Sequence, residues 1–131
     1  MERRSGLGRG LAALIPFQVS RWVTEGFREA NRDLVDAAIA IFLANDPAAY
    51  VETCRMLGAA DLRAALPGFA CPTRILVGEE DYATPVAMAE AMRDAIPGAR
   101  LRVIAGARHL TPLECPEVIA GELRELADAA A

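Results

Sequence analysis

The feature that most constrains this chain is an apolar run, a helix and a second apolar run in its second half. These are "TRILVG" from Thr73 to Gly78, "PVAMAEAMRDAI" from Pro85 to Ile96, and "RLRVIAG" from Arg100 to Gly106. The first run is made of β-branched and leucine residues without polar alternation, as in a strand buried on both faces. Thr84-Pro85 is expected to cap the helix and Pro97-Gly98 to close it. Strands joined by so long a crossover run parallel, with a right-handed connection. Parallel strands bring their carboxyl ends to one edge of the sheet, where open α/β sheets bind ligands.

Two chemically useful residues fall at that edge. Asp81 follows the first strand in "GEEDYATP", and His109, the single histidine of the chain, follows the second in "AGARHLTP". Neighbouring strands lie roughly 5 Å apart, so the carboxylate can reach one ring nitrogen. An acid that fixes the tautomer of a histidine base is two-thirds of a hydrolytic triad. Glu79 and Glu80 read as solvated turn residues. One histidine without ligand-type spacing leaves no metal site. Thr111 and Glu114 have the spacing of a capping box at the start of the last helix, which carries Val118, Ile119, Leu123 and Leu126.

The chain up to Gly68 reads as helices. "NRDLVDAAIAIFLAN" offers Asn31 as N-cap and Leu34, Val35, Ala38, Ile39 and Phe42 at helical spacing. "NDPAAYVETCRMLG" offers Asp46 as N-cap, Pro47 at the first helical position and Gly58 just past the end. "ADLRAALPG" is a shorter helix stopped by Pro67 and Gly68. At the start, Arg3, Arg4 and Arg9 precede a short apolar run, superficially like a secretory leader. Pro16, followed by Gln18, Ser20 and Arg21 without a small-residue cleavage pattern, favours an amphipathic helix instead.

Composition narrows the function classes. Hydrophobic residues make up 53% of the 131, much of it alanine, and the mean hydropathy is +0.21. No apolar run approaches the ~20 residues of a membrane-spanning helix. Net charge is −4, and all 14 basic residues are arginines scattered along the chain, unlike a basic nucleic-acid surface. Cys54, Cys71 and Cys115 form no C-x-x-C pair, which fits reduced thiols in the cytoplasm. As nucleophiles all three are poor. Cys71 enters its strand at the amino end, on the wrong edge of the sheet. Cys54 shares a helical face with Tyr50 and Leu57, which reads as packing, and Cys115 reads as structural near the last helix.

"PTRILVGEEDYATP" followed by "IPGARLRVIAGARHLTPLECPE" resembles the C-terminal part of α/β-hydrolases and is most similar to the branch containing 3-oxoadipate enol-lactonases. "RWVTEGFREAN" and "DPAAYVETCRML" are similar to the helical cap of that branch. The resemblance implies an α/β fold: a helical cap-like segment over 1–68, then a βαβα portion of the core over 69–131 with two parallel strands. It implies hydrolysis of a small ester or enol-lactone without a cofactor, with Asp81 as triad acid, His109 as base and Trp22 in the substrate pocket. The nucleophile of such a triad sits in G-x-S-x-G. Here the serines are Ser5 and Ser20, neither in that motif, and the oxyanion-hole segment is missing too. The competing expectation is a non-catalytic hydrolase fragment or partner-binding module. The outer edge of "TRILVG" would then attract a strand from a second copy or from a missing N-terminal half.

Overall fold

The computed structural model describes residues 7–130, so Arg3, Arg4 and Ser5 lie outside the described residues. The elements run α1 (Leu7–Trp22), α2 (Glu25–Ala30), α3 (Arg32–Leu43), α4 (Pro47–Ala59), a 3-10 turn (Arg63–Gly68), β1 (Arg74–Gly78), α5 (Val86–Ala95), β2 (Arg100–Ile104), α6 (Thr111–Glu114) and α7 (Pro116–Ala130). They fall into two compact units. One comprises the chain up to Ser20 with Glu25–Asp61, and the other Arg21–Thr24 with Leu62 onward. No single helix among the described residues is long and apolar enough to cross a membrane.

The first unit is helical for the reasons its sequence suggests. Val35 and Phe42 lie on one face of α3 and are both buried. Asp46 caps α4 by accepting from the Ala48 and Ala49 amides at 2.9 Å, with Pro47 in the first turn. Phe42 meets Tyr50 edge-on at 5.4 Å, and Gln18 donates to the Tyr50 hydroxyl at 3.0 Å. Asn31 is the N-cap of α3 as expected, although its side chain donates back to the Phe27 carbonyl instead of capping an amide. Two other expectations fail here. Gly58 falls inside α4, which continues to Ala59 because Ala60 is the residue that turns extended. Cys54 and Leu57 are exposed rather than packed, since α4 contributes no buried residue.

The second unit is the βαβ unit. β1 and β2 pair in parallel, in a register that sets Arg74 against Arg100 and Gly78 against Ile104. Ile75 and Val77 form a core with Ala89 and Ile96, backed by Leu66, Val86, Ala99 and Leu101. On the other face Leu76 is half-buried, so β1 is not covered equally on both sides as its composition suggested. Beside that face Glu122 of α7 takes Arg102 at 2.9 Å, and Glu125 takes Arg74 at 3.1 Å. "ADLRAALPG" yields a 3-10 turn that includes Pro67 rather than an α-helix. The last helix is broken at Cys115 into α6 and α7. Thr84 does not cap α5, whose N-cap position is Pro85. Its hydroxyl is committed elsewhere.

Gly78 governs the course of the chain beyond β1. A Cβ there would collide with the carbonyl oxygens of both Ala107 and Arg108, far inside any tolerable contact. That closeness lets the Glu79 amide donate to Ile104 O and the Glu80 amide to Ala107 O, both at 2.9 Å. The parallel ladder therefore continues as a loop-to-loop ladder past the strand ends. Gly78→Ala is expected to cost about 3 kcal/mol or more in urea unfolding, the upper range for overpacking against atoms that cannot yield. Gly106→Ala has open space but a φ of 65°, and is expected to cost about 1–2 kcal/mol.

Candidate active site

The loops after β1 and β2 bring Asp81 and His109 into contact. The Asp81 side chain is only 4% exposed, and its Oδ2 accepts from His109 Nδ1 at 2.9 Å. An ionised carboxylate can only accept, so Nδ1 carries a proton, and in the neutral ring Nε2 then keeps its lone pair. Nε2 has no hydrogen-bond partner among the described residues. The histidine side chain is 38% exposed, which leaves that nitrogen open to a substrate or nucleophile. This is the tautomer a general base requires.

The carboxylate is held from every side. Its Oδ1 accepts from the Ala83 amide at 2.9 Å and the Thr84 amide at 2.8 Å, while Oδ2 also accepts from the Thr84 hydroxyl at 2.9 Å. Burial alone pushes the Asp81 carboxyl up. The bonds from the Thr84 amide, His109, the Thr84 hydroxyl and the Ala83 amide together outweigh it and hold the group below its ordinary value of 3.8. Thr84, which the sequence suggested as a helix cap, is thus an orienting partner of Asp81. Its oxygen lies 3.4 Å from His109 Nδ1, a secondary contact because its hydrogen is given to the carboxylate.

The other acids of the turn are engaged rather than merely solvated. Glu79 accepts from the Gly106 amide at 3.0 Å, and Glu80 pairs with Arg108 at 3.5 Å. No group of three potential metal ligands occurs among the described residues. Trp22 also comes to the site: its carbonyl accepts from the Leu110 amide at 2.8 Å, one residue beyond His109. Glu114, expected in a capping box, accepts instead from the Thr24 amide and hydroxyl and from the Arg108 amide, while Thr111 sits inside α6 rather than before it. The spacing of Thr111 and Glu114 hid this, because a partner 90 residues earlier leaves no local pattern.

Among the described residues, the possible nucleophiles are elsewhere engaged or unsuited. Ser20 lies in α1 and donates to the Phe17 carbonyl at 2.9 Å. Burial, followed by the Glu114 and Glu117 carboxylates, pushes the Cys115 thiol up, opposite to what activates a thiolate. Cys54 and Cys71 are exposed.

Known proteins resemble this chain in sequence and in fold. The alpha/beta hydrolase family model matches residues 1–122. 3-Oxoadipate enol-lactonase 1 of Acinetobacter baylyi (strain ATCC 33305 / BD413 / ADP1) is 36% identical over 109 residues, which cover 82% of this chain and 40% of that protein. Among solved structures, the enol-lactonase from Burkholderia xenovorans LB400 superposes with a TM-score of 0.83 at 25% identity, over 96% of this chain and 46% of its own. A thermophilic esterase from Thermogutta terrifontis gives 0.80 at 29% identity, over 98% and 46%. The chain thus spans less than half the length of these relatives. The similarity to enol-lactonases that "PTRILVGEEDYATP" and its neighbours suggested holds, as does the expected α/β fold with two parallel strands.

The depressed Asp81 value has a definite consequence for stability. Its contribution is fully present above the unfolded carboxylate value of about 3.9 and is lost as pH falls through the lower folded value. Asp81→Asn should remove that component from the acid limb of the stability–pH profile below about pH 4. Thr84→Val should move the Asp81 midpoint upward when followed by side-chain carbon NMR.

Proposed function

The chain belongs to the alpha/beta hydrolase family, and from that premise we propose that Asp81 and His109 are the acid and base of a site that hydrolyses a small carboxylic ester or enol-lactone. The observation that carries this reading is the 2.9 Å bond between Asp81 Oδ2 and His109 Nδ1 at the carboxyl edge of parallel strands. The names of the relatives, two of them enol-lactonases and one an esterase, support the substrate class.

In this reading His109 Nε2 takes the proton of a hydroxyl nucleophile as that oxygen bonds to the substrate carbonyl carbon. The imidazolium that forms is stabilised by Asp81, and its proton then passes to the departing alcohol or enolate oxygen as the ester bond breaks. Water, deprotonated by the same nitrogen, then bonds to the acyl carbon. The bond from that carbon to the nucleophile oxygen breaks as the oxygen regains the proton from Nε2, and the acid leaves. The nucleophile and the oxyanion donors come from outside these 131 residues, because neither Ser5 nor Ser20 stands in G-x-S-x-G. Trp22 is assigned to the substrate wall on the strength of its carbonyl's bond to the residue after His109.

A partner-binding role is the second reading, and one observation favours it. Among the described residues β1 has a single strand neighbour, β2, so its other edge presents unpaired backbone groups. The two readings join if the strand taken up there belongs to the segment that supplies the nucleophile.

The test joins this chain to the N-terminal half of the Acinetobacter baylyi relative and follows loss of enol-lactone absorbance. The chimera should hydrolyse the lactone, His109→Ala should lower kcat by about 10⁶, and Asp81→Asn by about 10⁴. An active chimera whose rate ignores both substitutions would refute the assignment.

A further inference from the structure

We propose that Glu114 is a positioning residue that fastens the His109 loop to the Trp22 segment, so that base and substrate wall are held as one piece. The inference rests on the assignment of His109 as base and extends it to a residue that touches neither substrate nor reacting atoms.

The geometry is specific. Glu114 Oε1 accepts from the Thr24 amide at 2.7 Å and from the Thr24 hydroxyl at 2.8 Å, while Oε2 accepts from the Arg108 amide at 2.6 Å. One carboxylate thus spans two strips of backbone, Arg21–Thr24 and Arg108–Leu110. Between the strips run three further bonds. The His109 amide donates to Arg21 O at 3.2 Å, the Leu110 amide to Trp22 O at 2.8 Å, and Arg108 Nη1 to Val23 O at 3.2 Å. The four residues Arg21–Thr24 accordingly belong to the unit that contains the sheet, although the residues on either side of them in the chain do not.

A carboxylate is the group this junction needs. All three hydrogens pointing at Glu114 come from donors, and a charge-assisted acceptor binds each more strongly than a neutral one. Gln at this position has one acceptor atom and one amino group, so one side of the clamp would face donor against donor. A local helix-capping role is excluded by the bonding itself, since no side chain caps α6. The clamp's neighbours are the functional residues: Arg108 precedes His109, and Thr24 follows Trp22 by two.

The experiment uses the full chain and its Glu114→Gln variant, with Thr24→Val as the milder second variant. Native-state hydrogen exchange is read at the His109 and Leu110 amides, against the Val77 and Val103 amides of the sheet. Emission of Trp22, the single tryptophan, reports the other side of the clamp. Glu114→Gln should speed exchange at His109 and Leu110 by about tenfold to a hundredfold, shift the Trp22 emission and leave the sheet amides unchanged. In the chimera it should lower kcat and raise KM together. Unchanged exchange at both loop amides, or a uniform rise that includes the sheet, would overturn the proposal, as would unaltered kcat and KM. If Glu114→Gln does not fold, Thr24→Val decides: a smaller rise confined to the loop supports the clamp, and none overturns it. Failure of the functional reading is separately visible, as a chimera indifferent to His109→Ala.

Discussion

The site depends on how closely the two loops that leave the parallel strands approach one another. β1 and β2 would bring their carboxyl ends together in any parallel pair. Only the missing side chain of Gly78 lets the backbone of Ala107 and Arg108 close over the end of β1. The bonds from Glu79 and Glu80 to Ile104 and Ala107 then extend the register beyond the sheet. Asp81 and His109 are the next residues along those two loops, so their 2.9 Å contact is a consequence of strand register rather than of local loop preference.

Once placed, the pair divides its roles by environment. Asp81 is buried and its oxygens are occupied by backbone amides and the Thr84 hydroxyl, which keeps it ionised and fixed in rotation. His109 is anchored through Nδ1 and open at Nε2. In the role proposed for the pair, this division suits proton transfer, since a base must reach its substrate while the partner that orients it must not move. The surrounding acids reinforce this arrangement from the outside: Glu79 holds the Gly106 turn, Glu80 holds Arg108, and Arg108 also lies over the Tyr82 ring at 5.5 Å.

Much of this was legible in the sequence, and the limits are physical. The strands, the crossover helix and the edge position of Asp81 and His109 follow from apolar runs and glycine–proline punctuation, which are local signals. Local signals also misled. Thr84 before Pro85, and Thr111 three residues before Glu114, have the spacing of caps. In the first case the buried Asp81 carboxylate claims the threonine hydroxyl, and in the second Thr24 claims the glutamate. Cys54 and Leu57 have the periodicity of a packed face, but α4 buries nothing, so periodicity marked a surface rather than a core. Leu76 tells the same story for β1, whose composition suits a strand covered on both sides more fully than it is here. The long-range contacts of Glu114 had no sequence signature at all.

The central claim is that Asp81 holds His109 in one tautomer, with Nδ1 protonated and Nε2 free. The most direct measurement is the nitrogen NMR spectrum of the imidazole in the folded chain at a pH where the ring is neutral. The expected result is a protonated Nδ1 signal, a slowly exchanging Nδ1 proton shifted downfield by the Asp81 bond, and an unprotonated Nε2 signal. A ring protonated at Nε2, or averaged between the two tautomers, would contradict it.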